Sequence, residues 1–103
     1  MIQQNVGHTG TENGTIMSDE RNTQGAQITL ERDTSTAAFA ITCGIGGWLV
    51  HTRYLSSIEV AQSAYDVMKS ELQRITDLIT YSDSDEYVAK VVTELKGFVR
   101  RFP

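Results

Sequence analysis

Residues Ala37 to Leu55, AAFAITCGIGGWLVHTRYL, place two runs of strand-forming residues on either side of Gly46-Gly47. Glycines reach positive φ without a Cβ penalty, so a two-residue Gly-Gly loop predicts a β-hairpin here. With that loop Ile45 faces Trp48, Cys43 faces Val50, Ile41 faces Thr52 and Phe39 faces Tyr54. One face of the hairpin is then almost wholly apolar. The other carries Ala38, Ala40, Thr42, Gly44, Leu49, His51 and Arg53, which are mostly small or polar.

Upstream, Ile28 and Leu30 alternate with Thr29 and Glu31 between Gln27 and Arg32, which predicts a further strand joined to the hairpin through Asp33-Thr34-Ser35-Thr36. Setting Leu30 opposite Phe39 and Ile28 opposite Ile41 extends the apolar face. It also leaves Gln27, Thr29 and Glu31 on the side that holds Thr42, His51 and Arg53.

After Leu55 the period changes from two to that of a helix. Ser56 and Glu59 match a capping box, and Ile58, Ala61, Tyr65, Met68, Leu72, Ile75 and Ile79 recur at spacings of three and four. Val60, Ala64, Val67 and Leu78 widen this stripe. Ser82, Asp83 or Ser84 is placed to cap a second helix reaching about Arg101, with Val88, Val91, Val92, Leu95, Phe98, Val99 and Phe102 on its apolar face. Residues 1 to about 25 are rich in Gly, Thr, Asn and Gln and carry few large apolar groups, so they read as a disordered polar segment. Met17, followed by Ser-Asp-Glu, is an alternative start. The expected architecture is α+β: a three-stranded antiparallel β-meander followed by a two-helix hairpin on one sheet face, forming one domain over residues 26–103. Trp48 is expected in its core, with Phe39, Ile41, Val50 and Tyr54 facing Tyr65, Met68, Leu72, Val92 and Leu95.

A chain of 103 residues has room for one core. One cysteine excludes an internal disulfide, and no basic start with an apolar run marks a secretory signal. With no apolar stretch near the roughly 20 residues that span a bilayer, a cytoplasmic, soluble protein without a membrane partner is expected. Thirteen acidic against nine basic residues give a net charge of −4, which suits a protein partner with a basic surface better than a phosphate backbone.

No motif for catalysis, cofactor or metal binding is present, and no cofactor is expected. Cys43 and His51 fall on opposite faces of the inferred hairpin, which argues against a nucleophile and base pair. Counted from Asp83, a calcium loop with Asp85 and Glu86 would need glycine where Val88 stands. The β-β-β-α order is similar to that of double-stranded RNA-binding domains. However, the helix begins Ile58-Glu59-Val60-Ala61 without a lysine pair, the family's first helix is absent and the chain is acidic.

The expected function is therefore a non-catalytic protein-interaction module of regulatory, antitoxin-like or immunity type, with Gln27, Thr29, Glu31, Thr42, His51 and Arg53 as the partner-binding face. A small enzyme or ligand-binding domain using His51 and Arg53, and a nucleic-acid-binding domain, are the alternatives. The long first helix overhangs an eight-residue strand and exposes Ile75, Leu78 and Ile79, which suggests a homodimer.

Overall fold

The two strands of the hairpin, β4 (Phe39–Ile45) and β5 (Leu49–Leu55), pair one residue out of the register that a two-residue loop would give. Ile45 pairs with Leu49, Thr42 with Thr52 and Phe39 with Leu55. The cause is Trp48, which stays in the loop. Its N–H donates to the Ile45 carbonyl at 2.9 Å across Gly47, whose φ is +79°. One added loop residue turns every β5 side chain to the opposite face. Val50, expected in the core, is therefore 87% exposed, and Tyr54 is exposed as well. Leu49, His51, Arg53 and Leu55 face the helices instead.

The computed structural model describes residues 1–80 and 85–103. Its sheet has five antiparallel strands in the order β1-β2-β3-β4-β5 rather than three. β3 (Ala26–Arg32) pairs with β4 two residues away from the expected register, with Leu30 opposite Ile41 and Ile28 opposite Cys43. An even shift preserves the faces, so Ile28 and Leu30 still point to the core.

The two additional strands, β1 (Ile2–Gln3) and β2 (Thr15–Arg21), come from the segment read as a disordered tail. Although this segment is poor in apolar residues, polar contacts of Asp19 with Gln27 and Thr29 and of Glu20 with Tyr65 tie β2 to the rest of the fold. Ile16 and Asp19 are buried, and a bulge between Ile16 and Ser18 puts both on the face away from the helices, with Asp19 opposite Thr29, while Met17 packs on the core.

α1 (Ile58–Thr80) crosses β3 and β4 on one face of the sheet, and α2 (Asp85–Arg101) returns beside it with its C-terminal end near His51 of β5. Helix α1 begins one residue later than the capping-box reading. Ser57 is the cap, its Oγ accepting from Val60 N–H at 3.4 Å and its carbonyl accepting from Ala61 N–H at 2.9 Å. Ala61, Ala64, Tyr65, Met68, Leu72 and Ile75 form the helix side of the core with Val91, Leu95, Phe98 and Phe102, whereas Val60 and Val67 are exposed.

Ile75 is fully buried, and Leu78 and Ile79 are packed against the core, so the overhang that suggested a dimer does not exist. Arg74 ties the helices together by reaching Glu71 at 2.8 Å and Glu94 of α2 at 2.7 Å. Capping by Ser82, Asp83 or Ser84 and the calcium comparison fall outside the described residues and side chains.

Candidate functional site beside strand β5

The six residues expected to form one binding face divide between two. Gln27, Thr29, Glu31 and Thr42 do share the sheet face away from the helices, but the N-terminal segment lies over much of it. Thr29 is buried and Glu31 is 0% exposed. The Glu31 carboxylate accepts from Gly14 N–H at 3.1 Å and Glu12 N–H at 3.2 Å, while Tyr54 donates to the Glu12 carboxylate. Gln27 donates to Asp19 at 3.0 Å, and Thr42 meets the Thr52 hydroxyl at 3.3 Å.

His51 and Arg53, turned over by the register, lie under the end of α2. His51 Nε2 donates to the Phe102 carbonyl, its ring meets Phe98 edge-on at 6.5 Å, and the Arg53 guanidinium sits 5.8 Å from the centre of the Phe102 ring. These contacts anchor the chain end to the sheet.

The observed register also makes Cys43 and His51 cross-strand neighbours on one face, contrary to the expected separation. Cys43 is buried, and desolvation pushes its thiol up to about 12, so it is protonated at neutral pH. His51 is engaged by Phe102.

A polar cleft of about 460 Å³ opens between the N-terminal segment and β2–β3, with Asn5, His8, Asp19 and Thr29 in its wall. Its buried acid, Asp19, is already bound by Asn5 Nδ2 at 2.8 Å, Gln27 Nε2 at 3.0 Å and Thr29 Oγ1 at 3.0 Å. Burial pushes the Asp19 carboxyl up, but those hydrogen bonds and the Arg21 charge outweigh it and hold the group below its ordinary value. The cleft thus closes upon itself. Among the described residues no cluster of three or more His, Cys, Asp or Glu side chains is arranged to hold a metal ion.

The open site is an apolar groove of about 540 Å³ between the hairpin tip and α2. Gly47, Trp48 and Leu49 form one wall and Val92, Leu95 and Val99 the other, with Lys96 and Arg100 at the margin. α2 is apolar over a wider arc than the sheet covers. Val91, Leu95, Phe98 and Phe102 are buried, while Val88, Val92 and Val99, spaced by four and seven, stay exposed as a second stripe. Both stripes are legible in the sequence, where all seven residues were assigned to one face; an arc this wide is the signal that could have located the groove.

No family model matches the chain, and neither a curated protein nor a solved structure is detectably similar to it.

Proposed function

We propose that this chain is a protein-interaction module whose docking face is the side of the molecule formed by β5 and the outer stripe of α2. The observation that supports this reading is that two adjacent elements line one groove with apolar groups: half-buried Trp48 and Leu49 at the hairpin tip, and exposed Val92 and Val99 on α2. A binding groove combines an apolar floor with a few polar groups at its margin, and Lys96 and Arg100 supply the latter. No helix among the described residues is long and apolar enough to cross a membrane, so the uncovered valines are not part of a spanning helix. The antitoxin-like, immunity-type or regulatory role belongs to this proposal as the kind of task such a module performs, by covering a surface of another protein.

The test is a comparison of wild type with Val92→Glu/Val99→Glu, both positions being partly exposed and therefore tolerant of the change. Each is used as bait in extract from its native cells, with circular dichroism as the control for folding. Proteins retained by wild type and lost from the folded variant support the reading. An identical set from both baits removes this face from consideration.

A further inference from the structure

We propose that β5 and the groove beside it receive an extended segment of a partner protein, added as a sixth strand, in which apolar residues are interleaved with acidic ones. This rests on the reading of the β5–α2 side as the docking face.

The mode of binding follows from the sheet. β5 ends the strand order and pairs only with β4 among the described residues, so one edge of a seven-residue strand has no ladder partner. Such edges are templates for another strand, and proteins that keep them free protect them with proline, charged side chains, inward-pointing charges or bulges; the one charged residue of β5, Arg53, points inward but is stacked on Phe102. β5, LVHTRYL, has neither proline nor lysine, and its outward Val50 is the most exposed large apolar side chain of the described residues. A strand laid along this edge alternates its side chains between the two sheet faces. On the outer face they lie beside Val50 and Tyr54, which suits apolar residues. On the helix side they enter the groove, where Trp48, Val92 and Val99 accept one apolar anchor and the margin is basic.

The acidic character follows from charge. Although the chain is net −4, Lys96 and Arg100 stand exposed at this groove and form no ion pair among the described residues, while Arg53 beside them is taken up by the Phe102 ring. Elsewhere Arg32, Lys69, Arg74 and Arg101 each meet an acid, and Arg21 and Lys90, which form no such pair among the described residues, line no apolar groove. Unpaired cations around an apolar groove select carboxylates and speed their encounter. The same charges disfavour a second copy of this chain. A two-fold interface brings identical patches together, so each copy would meet another basic margin while both carry net negative charge.

A phage-displayed library of random twelve-residue peptides, selected on the immobilised full chain, tests this. The expected result is enrichment of sequences with Asp or Glu alternating with apolar residues. Their affinity is expected to fall about tenfold in Lys96→Glu/Arg100→Glu, corresponding to two exposed charge pairs, and to be lost in Val92→Glu/Val99→Glu. On adding an enriched peptide, amides of residues 49–55 should gain protection from hydrogen exchange.

Enriched peptides that are basic, or that show helical spacing and protect α2 alone, would overturn the strand proposal while leaving the docking face in place, provided that Val92→Glu/Val99→Glu still abolishes binding. A doubling of mass in sedimentation velocity that the same variant abolishes would assign the face to a second copy and overturn the proposal too. No enrichment, or enrichment indifferent to both variants, would overturn the proposal and the docking face together.

Discussion

Two carboxylates, Asp19 and Glu31, hold the far face of the sheet together, and each does so by accepting hydrogen bonds that water would otherwise supply. Asp19→Ala leaves three donors facing a cavity and is expected to cost about 2–4 kcal/mol, read as a fall in urea midpoint. The pH dependence has a definite sign. Because the folded state holds the Asp19 carboxyl below its ordinary value of 3.8, its contribution is complete above that value and is lost as pH falls through the lower folded value. The gap between wild type and Asp19→Ala should thus be constant near neutrality and narrow in acid below about pH 3.8. A gap that is unchanged by acid would mean that the ionised form is not what is bound. Gly14 matters for a steric reason: a Cβ there would stand 2.5 Å from the Arg32 carbonyl, and a backbone atom cannot swing aside. Gly14→Ala should cost about 1–3 kcal/mol by the same midpoint measurement. None of this was visible beforehand, since a polar stretch with scattered Asn, Gly and Asp has the composition of a tail. Only the fold reveals that its backbone N–H groups are aimed at a buried acid.

The hairpin shows where a sequence pattern runs out. The alternation in β4 and β5 correctly located both strands and the turn, as the change of period located both helices, α2 to the residue at its C-terminal end. Whether the loop takes two residues or three is a small difference in turn energy, yet it decides the fate of His51, Arg53, Val50 and Tyr54 together. A tryptophan after Gly-Gly reads as the first core residue of the strand and instead occupies the turn. The register is checked by crosslinking: in a Cys43→Ala background, Thr42→Cys/Thr52→Cys should oxidise readily, whereas Ile41→Cys/Thr52→Cys, paired only by a two-residue loop, should not. The N-terminal strands carry a second expectation. A chain beginning at Gly25 lacks the Asn22 side chain, which holds the β2–β3 turn and reaches Gln73 and Thr76 of α1, and it lacks Glu20, the partner of Tyr65 and Lys69. It also uncovers Glu31. The loss should be several kcal/mol against a total of about 5–15 for a domain of this kind, seen as a broad or absent thermal transition. A midpoint equal to that of the full chain would show that β1 and β2 contribute nothing.

Taken whole, the molecule separates its tasks by side: the segment between β1 and β2 folds over part of one face of the sheet, the helices cover the other, and the β5 edge with its groove is left open. Trp48 stands at that opening, only partly buried. Trp48→Ala should accordingly cost about 1–2 kcal/mol rather than the 3–5 typical of a core aromatic, and wild-type emission should shift further to the blue when a peptide fills the groove. A core-sized loss of stability would place the indole inside. The strand order 1-2-3-4-5 has one further consequence, for the chain as it is made. Every strand pairs with its neighbour in sequence, so the ladders of the sheet are able to form in the order in which the strands leave the ribosome. The core side of the sheet, however, is covered among the described residues by α1 and α2, which follow the strands in sequence. The apolar face of the sheet thus stays uncovered until residues beyond 58 leave the exit tunnel, and the nascent chain is expected to be most open to aggregation before then.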